Sequence, residues 1–460
     1  MAMQRTGNRP IASGTARRRP GALAGANPLH GLLFIFCILS ALVAPVPDTL
    51  FGLREIFLLL FLSSLLLLAF ITPLPDPLGT LEQTATRVVF ILFGAWLFSS
   101  INLVHKEDLT IEAYLRGLTP LLGLATFRVG QHFRTQSDAF LLLLAVTAAG
   151  LLSAIVGSLE AIRYGFIDPT DMTSSIHFRS LLDSKSYDAL VLSLPVALLG
   201  GGLIGTSRTT RPLMALGAVL FLFSMLTLMR SGIVIAIAVL LFELATIYRS
   251  RLLWSRFWAR APLILVAIGL LEGASMISAA LGMRFPSMSG AVGAIGERHH
   301  HITDQVSEGF GAYRVMEAVA AWERFGESPI LGHGLGATFS VGFEGQFAMV
   351  DRGAMRYTHN FFTYMLYSCG VIGIVAAVRF YHVCFRTMVQ AGRLAPFSRE
   401  PGVEMGLVLL LLGMLIYIQF QSMFRSATFF MMLGLVFGCL AARTTQLEFA
   451  ARNRRTRQDK

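Results

Sequence analysis

The chain has 460 residues, of which 54% are hydrophobic and only 14% are charged, and its formal net charge is +11. About a quarter of the residues in a soluble globular protein are charged, so this composition argues against a soluble enzyme. The basic residues lie at the chain ends and in alternate short loops. Since no basic domain with interleaved aromatic residues is present, nucleic-acid binding is not expected.

Apolar blocks recur along the chain, each long enough to cross about 30 Å of hydrocarbon. They predict an all-α, polytopic membrane protein with about 12 transmembrane helices. The predicted spans are 30–46, 54–72, 87–103, 111–127, 138–157, 187–205, 212–229, 232–248, 261–280, 360–383, 404–421 and 426–442. The domain boundaries that follow are a basic tail at 1–29, nine helices in 30–280, a large loop at 281–359, three helices in 360–442 and a second basic tail at 443–460.

Arginine and lysine residues set the predicted orientation, because cytoplasmic loops are enriched in them. An even number of spans puts both termini on one side, and both basic tails favour the cytoplasmic side. The inside loops then hold Arg128 and Arg134, Arg208 and Arg211, Arg249, Arg251, Arg256 and Arg260, and Arg386, Arg393 and Arg399. The large loop therefore lies outside.

Two outward segments, 158–186 and 281–359, are long enough to have structure of their own. Apolar spacing predicts a helix over Ala312 to Phe325 in the larger one. Its predicted apolar side carries Tyr313, Met316, Val319 and Ala320, whereas Glu317 and Arg324 lie off that side. After Pro329, the glycines predict a bend that contains Gly332, Gly334 and Gly336.

Ionisable residues at membrane depth are costly, so each is a functional candidate. Arg230 lies between two apolar blocks in a predicted three-residue outer hinge, Arg230-Ser231-Gly232. It is either a snorkelling turn residue or an anion ligand, because a guanidinium can bind phosphate through two parallel hydrogen bonds. Arg314 and Arg179 are further outer candidates, and Glu272 either pairs with an arginine or orients a substrate.

His359 and Asn360 stand at the outer end of the predicted tenth span. A histidine titrates near neutral pH and can accept a proton from a hydroxyl, although a single interfacial histidine is often only a surface residue. His299, His300 and His301 with Asp304 are an unconvincing metal site, because consecutive histidines do not converge on one ion. The four cysteines have neither metal-ligand nor disulfide spacing.

The pair His359-Asn360, followed after nine residues by Gly370-Val371-Ile372-Gly373, resembles the signature of the O-antigen ligase and polymerase superfamily of bacterial membrane glycosyltransferases. The run from Pro329 through Gly332, Gly334 and Gly336 is similar to the glycine-rich run of that family's large periplasmic loop. Arg314 resembles the arginine that opens a helix in the same loop, and Arg230-Ser231-Gly232 resembles the turn that opens the eighth span.

This resemblance implies an all-helical fold of the GT-C type in the bacterial inner membrane, with no cofactor and no metal. The donor would be a glycan on undecaprenyl diphosphate. The acceptor would be the lipid A core for a ligase, or another carrier-linked repeat of O-antigen or exopolysaccharide for a polymerase. His359 would be the catalytic residue, and Arg230 and Arg314 would bind the diphosphate. Arg179, Glu272 and Asn360 would support them, with Gly332, Gly334, Gly336, Gly370 and Gly373 as motif glycines.

Two other functions remain open. A transporter or flippase of amphiphilic solutes also has about a dozen spans, but its polar sites usually lie at the midplane, often with discontinuous helices. Here the candidate residues crowd the outer side, which favours an enzyme acting at one face. A glycan polymerase acting on cell-wall lipid carriers would lack the His-Asn element.

Overall fold

The structure, a computed structural model, describes residues 31–32, 63–64, 67–74, 78–101, 126–163, 188–227, 230–280, 312–334, 337, 358, 360–420 and 427–458. Over these residues the regular structure is helical, without strands, so the predicted all-α class is confirmed. The helices are α1 (Thr80–Ile101), α2 (Gln136–Arg163), α3 (Asp188–Ile204), α4 (Ser207–Thr227), α5 (Arg230–Ile247), α6 (Arg251–Ala280), α7 (Ala312–Phe325), α8 (Phe361–Leu394), α9 (Pro401–Tyr417) and α10 (Ala427–Gln458).

Three stretches of these helices are long and apolar enough to cross a membrane: Thr80–Ser99, Phe361–Phe397 and Phe429–Arg454. Shorter apolar helices cover Gln136–Leu152, Ser193–Ile204, Val234–Ile247 and Pro401–Tyr417. All helices except α7 overlap a predicted span, whereas the predicted first, second and fourth spans lie mostly outside the described residues. Helix α10 continues to Gln458, so the predicted boundary at 442 is not a helix end.

Helices α3 and α9 touch through their backbones at the centre of the fold. A Cβ atom added to Gly201 would overlap the carbonyl oxygen of Gly402, and one added to Gly402 would overlap that of Gly201. Gly406 continues this small-residue face one turn along α9. Close approach at small residues is the usual way in which helices pack inside membranes, because lipid provides no hydrophobic force between them.

Helix α5 packs against the same pair and fixes the relative directions of the three helices. Ser193 of α3 and Ile235 of α5 both lie beside Gly413 of α9. Glu243, further along α5, lies beside Gly200, further along α3. Helices α3 and α5 therefore run parallel, and α9 runs antiparallel to them.

Helix α8 reverses direction at Gly370, where φ is 62° and ψ is −156°. In a straight helix Phe361 and Tyr381 would lie about 30 Å apart. Their ring centroids are instead 5.8 Å apart. A Cβ atom on Gly373 would also lie 2.8 Å from the carbonyl oxygen of Met365. Residues 361–369 and 371–381 thus form an antiparallel helical hairpin, and the second limb continues to Leu394.

The predicted span 360–383 overlaps a candidate membrane span, Phe361–Phe397, but the chain reverses within it at Gly370, which was not predicted. Hydropathy measures how long an apolar segment is but not whether the chain reverses within it. Both limbs are apolar, so the hairpin has the same hydropathy as one continuous span. The 371–394 limb alone measures about 35 Å at 1.5 Å per residue, which is enough to cross a bilayer.

Buried ion pairs join several helices at the end of the bundle opposite the Gly370 turn. Arg134 pairs with Glu82 at 2.5 Å, and Arg443 pairs with Glu404. Arg443 also donates to the carbonyl oxygen of Arg134 at 2.7 Å, which links the two pairs. We call this end, defined by Glu82, Arg134, Glu404 and Arg443, the charged end.

Further polar contacts at the charged end connect the neighbouring loops to the helices. Arg260 donates to the carbonyl oxygen of Gly205 at 2.6 Å and to that of Gly202 at 3.2 Å, and so satisfies carbonyls left open where α3 ends. His132 Nε2 lies 3.0 Å from the carbonyl oxygen of Ala69. Burial lowers the pKa of His132, and the positive charges of Arg128 and Arg134 lower it further.

Candidate functional site

The glycine-rich run after α7 docks on the Gly370 turn by exchanging backbone hydrogen bonds. His333 N donates to the carbonyl oxygen of Tyr367 at 2.9 Å, and Gly334 N donates to that of Ser368 at 3.0 Å. In return, Val371 N donates to the carbonyl oxygen of Pro329 at 2.9 Å. Where a helix is interrupted, backbone groups such as these carbonyl oxygens and this N–H lose their helical hydrogen-bond partners. The glycine-rich run provides new partners for them. We call residues 328–334 the glycine loop.

Two of the motif glycines make this docking possible. Gly332 has φ 69°, and a Cβ atom there would lie 2.5 Å from Cys369 N. Gly370 has φ 62°, and a Cβ atom there would lie 2.5 Å from the carbonyl carbon of Ile330. Each glycine is thus needed for its backbone conformation and for the close approach of the other segment. Gly334 also has a positive φ, 87°.

His333 fastens the glycine loop to α7. Its Nε2 lies 2.6 Å from the carbonyl oxygen of Arg324, in the last turn of α7, and its ring stacks on Tyr367 with centroids 5.0 Å apart. On the other side of the turn, Ser99 of α1 donates to the carbonyl oxygen of Ser368 at 2.5 Å. Sequence analysis assigned no role to His333, Tyr367 or Ser99, because only the fold brings them together.

Asn360 begins the first limb of the hairpin as its N-cap residue. Its side-chain oxygen accepts a hydrogen bond from Thr363 N at 3.1 Å, which is the usual contact of a capping asparagine. Thr358 donates to the carbonyl oxygen of Asn360 at 2.9 Å. His359 itself lies outside the described residues, but both of its neighbours are placed. The described role of Asn360 is therefore to cap the first limb of the hairpin.

The start of this limb is surrounded by side chains from other helices. Trp96 of α1 lies 6.5 Å from Phe361 and 6.0 Å from Phe430 of α10, measured between ring centroids. Tyr381 donates to the carbonyl oxygen of Leu415 at 3.0 Å and accepts a hydrogen bond from Gln419. Tyr381 lies beside Phe361 and Phe362 and binds Gln419, and sequence reasoning missed both polar groups because they are distant from the hairpin start along the chain.

Arg230 is the first residue of α5, so the predicted three-residue hinge is wrong: Ser231 and Gly232 are already helical. Arg230 precedes Ile235, which lies beside Gly413 near the end of α9. The same end of α9 contacts Tyr381, which stacks on Phe361. This series of contacts puts Arg230 and the start of the α8 hairpin on the side away from the charged end, with Phe361 beside Tyr381 and therefore about 16 Å along the second limb from the Gly370 turn. The side chain of Arg230 lies outside the described residues.

Helix α7 has the predicted bounds, Ala312 to Phe325. Glu317 and Ala321 are buried, whereas Val319, on the predicted apolar side, is half exposed. Arg314 precedes Ala321 by two helical turns, so its position falls on the inward face, next to Glu317. Arg314 belongs to the described backbone, but its side chain does not belong to the described residues.

The remaining candidates are placed as follows. Glu272 is half buried on α6, and Gly373 lies beside Cys369 and Met365 in the hairpin. Arg179, Gly336 and the histidine run 299–301 lie outside the described residues. Over the residues that the structure does describe, no group of three histidine, cysteine, aspartate or glutamate side chains could hold a metal ion.

The described site therefore consists of a helical hairpin, a loop that closes its turn, and an outer helix held by that loop. Neither the protein-family models nor the curated proteins include a match to this chain. Its function must be argued from the site itself. The described backbone places Asn360 at the start of the hairpin, Arg230 at the start of α5 and Arg314 in the first turn of α7.

Proposed function

We propose that this protein transfers a glycan from an undecaprenyl-diphosphate carrier to a sugar hydroxyl at the periplasmic face of the bacterial inner membrane. One observation carries the proposal: the glycine loop and the Gly370 turn, the two segments that resemble the O-antigen ligase and polymerase superfamily, bind each other. The two segments are distant in the sequence, yet they form one structural unit through paired backbone hydrogen bonds and positive-φ glycines. If the resemblance were accidental, there would be no reason for these two segments to contact each other.

The proposal includes a topology of about 12 spans with both termini in the cytoplasm. Polar contacts between loop regions support it. Glu82 and Arg134 come from two predicted inside loops, Glu404 from the inner end of the predicted span 404–421 and Arg443 from the inside tail, and they meet at the charged end. Thr209 and Glu400, from two further inside positions, form a hydrogen bond of 2.8 Å. The glycine loop, which belongs to the large loop predicted to be outside, meets the Gly370 turn at the opposite end.

The chemistry follows from the groups proposed at the outer end. The acceptor hydroxyl oxygen bonds to the anomeric carbon while the bond from that carbon to the diphosphate oxygen breaks. The leaving diphosphate takes the electron pair, and His359 takes the hydroxyl proton. Arg230 and Arg314 stabilise the charge on the leaving group, which fixed cations do more effectively where water is excluded. A placed acid–base group typically contributes about 10²–10⁴-fold in rate.

A deletion strain separates the two acceptor classes. In a ligase deletion, long carrier-linked glycan accumulates while lipid A loses its long chains. In a polymerase deletion, single carrier-linked repeats accumulate. Gel analysis of the glycans with mass spectrometry distinguishes these products, and an unchanged glycan profile would contradict the proposed function.

Point variants test the site within that strain. His359→Ala should fail to restore the glycan, whereas His382→Ala, at an exposed position on the same helix of the described structure, should restore it. Arg230→Lys should be impaired although the charge is kept, because the planar fork of the guanidinium is lost. Arg208→Lys, at an exposed position near the charged end, is its matched control. Equal restoration by His359→Ala and His382→Ala would exclude His359 from the reaction.

A transporter or flippase is the second candidate, because the interrupted helix α8 is a feature of transporter sites. Ion sites of that kind use the free backbone groups at the break. Here the carbonyl oxygens of Tyr367 and Ser368 and the N–H of Val371 bind the glycine loop, which favours the enzyme. Reconstituted vesicles decide between the two: lipid-linked glycan that crosses the bilayer without forming a new glycosidic bond would support transport.

A further inference from the structure

Helix α7 exposes two of its large apolar residues, with Glu323 and Arg324 exposed beside them. Val319 is 50% exposed and Trp322 is 62% exposed, whereas Glu317 on the opposite face is 1% exposed. A helix on the surface of a soluble domain has the reverse arrangement, with apolar residues toward the protein. Exposed aromatic and aliphatic residues grouped on one face indicate contact with an apolar surrounding.

The glycine loop extends this apolar surface to α8. Ile330 is 64% exposed and Leu331 is 36% exposed. The hydrogen bond from Val371 N to Pro329 O fixes this part of the loop beside the first turn of the second limb of α8. That limb carries its own row of exposed apolar side chains: Val371, Ile372, Val375, Val378 and Phe385. Exposed apolar side chains thus extend from Trp322 through the glycine loop to the second limb of α8, a candidate membrane span on which Arg379 and His382 are exposed as well.

The position of this surface along the span follows from the length of the limb. From residue 371 to Arg393 the helix rises about 33 Å, which is close to the thickness of the hydrocarbon. Arg393 lies in the last turn, near the charged end. The Gly370 turn therefore lies near the opposite bilayer surface, and the glycine loop and α7 lie at the same level.

We propose that α7 and the glycine loop lie in the interface of the bilayer leaflet at the Gly370 turn, with Val319, Trp322 and Ile330 in contact with phospholipid. Tryptophan is enriched at membrane–water interfaces, where its ring meets both apolar and polar groups. The same orientation turns the face that carries Arg314 and Glu317 toward the protein. This inference does not rest on the proposed glycan transfer, because it concerns where the helix lies and not what it does.

The four tryptophans of the chain make a direct test possible. Trp254→Phe and Trp258→Phe leave two, Trp96 and Trp322, of which Trp96 is 0% exposed. Adding Trp322→Phe leaves Trp96 alone, so the difference between the two proteins gives the emission of Trp322. Both are reconstituted into phospholipid vesicles free of carrier lipid, and their quenching by phospholipids brominated high on the acyl chain and by aqueous iodide is measured.

Brominated phospholipid should reduce the emission of Trp322 about twofold or more, because interfacial helices bury their apolar face about 5–10 Å into the headgroup and acyl boundary. Iodide should have little effect on it, and Trp96 should respond to neither quencher. Quenching by iodide alone would place Trp322 in water and overturn the proposal. Quenching by neither agent would mean that another part of the protein covers Trp322, which would also overturn it.

Discussion

Replacing Gly370 by alanine tests whether the glycine loop and the α8 hairpin are one unit. At φ 62° and ψ −156°, this residue occupies a backbone region that only glycine adopts readily. The new Cβ atom would lie 2.5 Å from the carbonyl carbon of Ile330 and 2.7 Å from Gly332 N. Both neighbours are backbone atoms, so no side-chain rotation relieves the overlap. Either the turn opens or the loop leaves it.

The expected cost follows from these two outcomes. Keeping the backbone conformation with a Cβ atom costs about 1–3 kcal/mol. Releasing the loop removes three well-formed backbone hydrogen bonds, each worth roughly 0.5–1.5 kcal/mol. We therefore expect Gly370→Ala to lower the free energy of unfolding by at least about 1 kcal/mol. Amide exchange at His333, Gly334 and Val371 should accelerate before global unfolding, because their bonds cross the turn.

Gly94→Ala is the matched control. Gly94 lies within α1 and a Cβ atom there would meet nothing within 4 Å. Alanine at such a helical position is neutral or stabilising by roughly 0.5–1 kcal/mol. Thermal unfolding in detergent and amide exchange by mass spectrometry are measured for both variants. Equal stability and equal exchange for Gly370→Ala and Gly94→Ala would refute the proposed role of the turn.

Three further variants test the packing and the charged end. Arg443→Gln should lower the free energy of unfolding by about 3–5 kcal/mol, because it leaves Glu404 buried without its ion-pair partner. The double variant with Glu404→Gln should recover part of this loss in the same unfolding assay. The pKa of His132 is lower in the folded than in the unfolded chain, so the unfolded chain binds the proton first as the pH falls. The free energy of unfolding should therefore be at its full value above pH 6.5 and decrease below it. His132→Gln should flatten this pH dependence, and an unchanged dependence would contradict the assignment. Gly201→Val should prevent the α3–α9 contact and abolish folded protein in size-exclusion profiles, whereas Gly269→Ala, which has open space around it, should behave as the unmodified chain.

Hydropathy and periodicity were sufficient for the helical class and for the bounds of α7, Ala312 to Phe325. These features are local, since they depend on the length of an apolar run and on the spacing of residues within one helix. The candidate site was partly accessible in the same way. Gly332 and Gly370 were predicted as motif glycines from the sequence. The structure shows why glycine is needed there: both have a positive φ, and each lies against the backbone of the other segment.

Other features of the fold and the site depend on contacts between segments that are distant in the sequence, and only the tertiary structure shows them. The reversal at Gly370 leaves the hydropathy of the segment unchanged, and the buried face of α7 carries Glu317, which the spacing of apolar residues along the helix did not indicate. Ser99, Tyr381 and Gln419 join the site only because distant helices meet there. A linear pattern records how apolar each segment is, but the direction in which a chain turns and the partner that a side chain meets are set by contacts between segments that the pattern treats separately.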